Sequence, residues 1–200
     1  MMLKDHRGAP VSGANAKSLE LFETAISQFN CYVGDPVATL DAAIGESPDF
    51  AMAIAMKAYL FLIGMERGPV PAAAELLGKL RGLKLNERER RHAAAVASLV
   101  DGAFLRASER LEDILVEDPH DILALQVGHQ LDFFRGDSRN LRDRVARVLP
   151  EWNAQMPGYH VLLGAHAFGL EEMGDYVRAE DSARRAISLK PRIAPRMLLK

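Results

Sequence analysis

Apolar residues fall along this chain in blocks with helical spacing, and turn-forming residues separate the blocks. In the block 158–173, Leu163, Ala167 and Leu170 recur at i, i+4 and i+7, which puts them on one face of a helix. In the block 176–189, Ala179, Ala183 and Ala186 form a stripe of small residues, the kind that lets two helices approach closely. Ala94, Ala95, Ala107, Leu111 and Ile114 occupy corresponding places further upstream. The pattern predicts ten helices, over 14–32, 36–45, 49–65, 69–80, 86–101, 103–117, 121–135, 138–152, 158–173 and 176–189. No segment alternates as a strand does.

The punctuation has its own order. Gly102, Gly136-Asp137 and Gly174-Asp175 break the two helices of a pair apart: glycine takes the left-handed conformation at a helix end and aspartate caps the next helix. Between pairs stand Glu46-Ser47-Pro48-Asp49, Glu117-Asp118-Pro119-His120 and Leu189-Lys190-Pro191-Arg192. The three prolines are nearly equally spaced, at about twice the ~34-residue period of a tetratricopeptide repeat. Proline cannot continue a helix but opens one well. The expected fold is all-α: a TPR-like right-handed superhelix of about five antiparallel helix pairs. Residues 1–13 are expected as a flexible lead, 14–191 as the repeat domain and 192–200 as a C-terminal tail. Each large buried side chain contributes roughly 1.5–3 kcal/mol, too little for one pair to fold alone, so the pairs must stack.

Several phrases carry a resemblance. They are Glu87-Arg88-Glu89-Arg90-Arg91-His92, the run from Ile114 through Asp118-Pro119-His120-Asp121 to Leu125, Val148-Leu149-Pro150-Glu151-Trp152, and Ala167-Phe168-Gly169-Leu170-Glu171-Glu172-Met173-Gly174. Over residues 14 to 191 the chain resembles the tetratricopeptide repeat protein 38 family. The resemblance implies a TPR-like superhelix, with no enzymatic activity, cofactor or defined partner. Family members continue with further helices where this sequence runs through Arg192 and Pro195 to Lys200, so it reads as a shortened member. An uncapped fifth pair would expose apolar side chains, to be covered by the Met197-Leu198-Leu199 tail or by a second copy in a homodimer.

Composition narrows the function classes. The formal net charge is −2 and 26% of residues are charged, which argues against a general nucleic-acid binder. Cys31 is the one cysteine, so no intrachain disulfide forms. Ala51 to Met65 is the most apolar stretch, but Lys57 interrupts it, and no segment is long enough to span a membrane. The polar start has no apolar signal region, and the cytoplasm is the expected location.

Candidate chemistry is sparse. His129 and Asp132 stand at i, i+3 and form the one His–carboxylate pair for a metal-binding or hydrolytic reading, with no third ligand in sight. Cys31 reads as a small buried apolar residue, and Glu171-Glu172 as a solvated helix end. Glu87 and Arg91 form an i, i+4 ion pair on a charged helix start, whereas Arg135, Arg139, Arg142, Arg144 and Arg147 make a basic zone open to an anionic partner. Phosphate-binding glycine loops and nucleophile elbows do not occur, so no catalytic activity, metal or cofactor is expected.

The expected function is therefore a scaffold that binds a protein or peptide. With the prolines setting the register, Met52, Tyr59, His92, Gln126, Gln130, Phe133, Phe168 and Glu172 are the candidates for the concave groove. Aromatic rings beside amides suit an extended peptide or a helix.

Overall fold

The computed structural model describes residues 2–189. Pro191 as the closing mark of the fifth pair, the 192–200 tail and the fold-back of Met197 to Leu199 lie outside the described residues. The described residues form two short strands, β1 (Leu3–Lys4) and β2 (Pro10–Val11), and ten α-helices. These are α1 (Ala16–Cys31), α2 (Pro36–Glu46), α3 (Ala51–Leu62), α4 (Val70–Arg81), α5 (Glu87–Val100), α6 (Phe104–Glu117), α7 (Ile122–Phe134), α8 (Ser138–Val148), α9 (Tyr159–Glu172) and α10 (Tyr176–Leu189). Consecutive helices pack as pairs: α1 with α2, α3 with α4, α5 with α6 and α9 with α10. The chain divides into two compact units, Met1–Gly128 and His129–Lys200.

Side-chain caps set many of the helix starts. Asn15 and Asn86 each accept from the backbone three residues on, while Ser18 and Glu89 reach back to the cap's own N–H, closing a capping box. Asp35 and Asp137 cap α2 and α8 in the simpler way. Gly102, Gly136 and Gly174 all take positive φ at the expected breaks. Proline opens α2 at Pro36, as expected. Pro48 and Pro119, however, sit in the turns ahead of α3 and α7 rather than in their first turns. Pro150, with no N–H to continue the ladder, ends α8 early, and Leu149–Glu151 tightens into a 3-10 turn.

In the first unit, α3 is apolar around almost its whole circumference, and nine of its residues are buried. Ala51, Ile54 and Ala55 pack with Leu80 of α4 and Ala93 of α5, and Ile44, Leu76, Leu83 and Leu85 close over them. Phe22 of α1 lies 5.2 Å from Phe50, the residue before α3. Lys57 escapes the core by pairing with Asp41 and lying over the Phe61 ring.

The amino-terminal stretch differs from the expected flexible lead. Leu3–Lys4 pairs antiparallel with Pro10–Val11. Asp5 Oδ1 accepts from the backbone of Arg7 and Ala9, both at 3.0 Å, and Gly8 supplies the positive φ that the turn requires. Contacts with distant residues, taken up below, hold this hairpin in place.

In the second unit, Leu141 and Val145 of α8, Leu162 and Leu163 of α9 and Ala179 and Ala186 of α10 are buried. Ser182 donates to the Leu163 carbonyl at 2.9 Å, which tells how close α9 and α10 come. Gly169 lets α9 press onto α8: a Cβ there would stand 2.6 Å from Arg142 Cα and 2.8 Å from Arg142 N. Backbone cannot yield as a flexible side chain can. Gly169→Ala is therefore expected to lower the urea midpoint, with a stability loss of about 1–3 kcal/mol. An unchanged or raised midpoint would refute the close approach.

Candidate binding surface

Asp121 organises the polar interior of the first unit. Its Oδ1 accepts from Ala124 N at 2.9 Å and so caps α7. Its Oδ2 accepts from Arg88 Nε at 2.7 Å and from His92 Nε2 at 2.8 Å. A carboxylate only accepts, so Nε2 of His92 carries the hydrogen. On the far side of the ring the Tyr59 hydroxyl lies 3.0 Å from Nδ1 and donates to the His92 carbonyl at 3.1 Å. Burial alone would push the Asp121 carboxyl up, but the Arg88 guanidinium and the His92 ring hold it well below the usual carboxylate range. Burial, with Asp121 nearby, pushes the Tyr59 phenol well above its ordinary value.

Burial decides the fate of three groove candidates, two of them members of this network. Tyr59, His92 and Met52 have no exposed surface at all. They hold α3 and α5 in the core and do not line an open wall. Gln126 is also buried, with its amide donating to the Tyr32 hydroxyl at 3.3 Å. Helix α3 is apolar on every side, so periodicity could not separate its core positions from a groove.

The remaining candidates lie in the second unit, where the structure gathers aromatic side chains. The Phe133 ring of α7 stands 5.4 Å from the Phe168 ring of α9 and 5.5 Å from Phe134. Phe168 also meets His129, at 6.0 Å. Phe133 and Phe134 remain 48% and 50% exposed, and Phe168 is half-buried. Gln130 is half-buried one turn before Phe134 on α7, and exposed Glu172 follows Phe168 by one turn on α9. Two tilted ring pairs left half in water form an apolar surface with an amide and a carboxylate on the same two helices. Phe134 did not figure in the sequence reading, although a Phe-Phe doublet just ahead of a helix-ending glycine was there to be seen.

The metal reading of His129 and Asp132 comes apart on geometry. His129 Nε2 lies 3.2 Å from the Ala165 carbonyl, which accepts its hydrogen. Asp132 is fully buried and accepts from Arg144 Nε at 2.7 Å and Nη2 at 3.2 Å. The two side chains serve different partners. Among the described residues no three His, Cys, Asp or Glu side chains gather where they could hold a metal ion.

Three members of the basic zone are likewise engaged. Arg144 is buried against Asp132, Arg142 pairs with Asp143 at 2.6 Å, and Arg135 lies within 4 Å of Asp132 and Asp137. Arg144 sits twelve residues from Asp132, a pairing that no helical spacing announces. The Glu87–Arg91 pair forms as expected, at 3.3 Å. Between α5 and α6 a cleft of about 530 Å³ alternates Arg91, Arg106 and Arg110 with Glu109, Asp113 and Glu117, so no one sign of charge prevails. Cys31 is buried, and Glu171 and Glu172 are exposed. The described outer face of α10 is mostly charged (Arg178, Glu180, Asp181, Arg184, Arg185), with Tyr176 and Val177 as its exposed apolar members near the start.

No protein-family model matches this chain, and no solved structure matches it. No helix among the described residues is long and apolar enough to cross a membrane.

His129 generates a pH prediction. Burial pulls its pKa from 6.5 down to about 4. Above about pH 6.5 the ring is neutral in both the folded and unfolded chain and adds no pH dependence. As the pH falls from there to about 4, the unfolded chain takes up a proton that the folded chain refuses, and stability drops. Between pH 7 and pH 4 the wild type is expected to lose about 3 kcal/mol more than His129→Gln in urea titrations. Equal losses would contradict the burial. The buried Asp132–Arg144 pair makes a second prediction: Asp132→Ala strands a buried guanidinium and is expected to cost about 3–5 kcal/mol. A loss under about 1 kcal/mol in the same assay would show that the pair is solvated.

Proposed function

We propose that this chain is a TPR-like scaffold of the tetratricopeptide repeat protein 38 kind, acting in the cytoplasm, that binds a protein segment and performs no chemistry of its own. The segment offers an apolar or aromatic side chain to Phe133, Phe134 and Phe168 and a Lys or Arg to Glu172. The observation that carries this reading is the exposed ring cluster: Phe133 and Phe168 meet in a tilted pair at 5.4 Å while Phe133 keeps 48% of its surface in water. Aromatic anchors of this type dominate binding energy where a partner covers them, and a nearby carboxylate adds preference for a basic neighbour. The pairing of consecutive helices and the glycine–aspartate breaks support the TPR-like arrangement.

Selection from a random peptide library tests this reading. Wild-type protein is expected to enrich peptides that place an apolar residue beside Lys or Arg. Phe133→Ser should weaken those peptides about tenfold or more, a loss of ~1.4 kcal/mol, with an unchanged helical circular dichroism spectrum. Glu172→Lys should turn the preference from basic to acidic neighbours. The proposal falls if nothing is enriched, or if the selected peptides bind Phe133→Ser as well as wild type.

A further inference from the structure

The hairpin Leu3–Val11 is an unusual thing to find fixed. Its strands are two residues each, well short of what stands alone in water. Its apolar hold is slight: Val11 is buried, but Leu3 and Met2 are 37% and 54% exposed. What holds it is polar and comes from three helices. Arg7 Nη2 donates to both carboxylate oxygens of Glu23 on α1, at 2.8 and 2.9 Å. Ser12 N donates to Glu89 Oε1 of α5 at 2.7 Å, and the Ser12 carbonyl accepts from Ala51 N, the first residue of α3, at 3.2 Å. Asn86 donates to the Pro10 carbonyl at 3.1 Å.

The seam between hairpin and helices is incompletely satisfied. Asp5 Oδ2 lies 3.4 Å from Arg88 Nη1, an ion contact without hydrogen-bond alignment. Both atoms are buried without a hydrogen-bond partner, and so is Arg7 Nε. Closing the hairpin thus strips water from charged groups, leaves three buried polar atoms without a hydrogen-bond partner, and buries little apolar surface. The helices beneath have a stronger hold, because α3 and α5 are packed through apolar faces and the Asp121 network. A segment with few buried apolar contacts and an imperfect polar seam is the part of a fold that opens first.

We infer that residues 3–12 form a strap across the middle of α1 and the starts of α3 and α5 that opens as a unit while the helices stay folded, with Asp5 on Arg88 as its latch. Opening the strap bares Arg88 and Glu89 at the start of α5 and frees the Ala51 N–H at the start of α3. Arg88 then keeps Asp121, at 2.7 Å, and Asp118, at 3.7 Å. The strap is therefore a conformational device of the first unit, independent of the aromatic surface on the second.

Residue-resolved hydrogen exchange on the full chain tests the strap. The Asp5 and Gly8 amides donate within the hairpin and the Ser12 amide donates to Glu89, so each reports on closure. They are expected to exchange slower than in a free peptide, yet about 100-fold or more faster than the Met56 and Ala58 amides of α3. Their rates should stay flat in low urea while the α3 rates rise. Asp5→Asn keeps the turn acceptor but removes the charge facing Arg88, and should speed the three strap amides about tenfold with α3 unaffected. Strap amides as slow as those of α3 would overturn independent opening, and free-peptide rates would overturn the strap itself. An Asp5→Asn chain with unchanged strap exchange would overturn the latch.

Discussion

One carboxylate, that of Asp121, holds the first unit in register. One oxygen caps α7, and the other takes hydrogen bonds from Arg88 and His92 of α5. His92 passes the connection to Tyr59 of α3, and Arg88 passes it towards Asp5. Four segments far apart in sequence thus meet at a residue with no exposed surface to speak of. A buried charge is tolerable only where its partners surround it, which makes the arrangement selective: slide any one helix by a turn and a charge is stranded. The second unit repeats the logic on a smaller scale with Asp132 and Arg144.

The interior charges are spent on one another. His92 and His129 are both buried and both engaged. Arg142 and Arg144 of α8 face carboxylates. What the second unit does leave in water is a cluster of phenylalanine rings, which costs free energy until something covers it. A surface of that kind is suited to recognition.

The helices were legible in the sequence because their ends are written locally. Asn15, Asp35, Asn86 and Asp137 cap, glycines terminate, and small residues mark the close faces. The candidate site was legible only in part. Gln130, Phe133, Phe168 and Glu172 lie on α7 and α9, and the rings of Phe133 and Phe168 meet. Met52 and Tyr59 went inward, since a helix apolar on nearly all sides gives no phase from which to choose a face, and His92 went inward with them to meet Tyr59 and Asp121. The amino-terminal hairpin was illegible for another reason. Its order depends on Glu23 and Glu89, partners sixteen and seventy-seven residues away from Arg7 and Ser12. Nothing in the first thirteen residues announces partners at that distance. The Asp132–Arg144 pair was hidden in the same way inside what reads as a basic run.

The most direct test of the Asp121 account is a thermodynamic cycle with Asp121→Asn and Arg88→Met. Asparagine keeps the helix cap and the shape but removes the charge, so the cycle isolates the tie between α7 and α5. Each single variant is expected to lose roughly 3–5 kcal/mol in urea, and the double variant distinctly less than their sum. Losses that simply add, or single variants close to wild type, would show that the first unit does not depend on this contact.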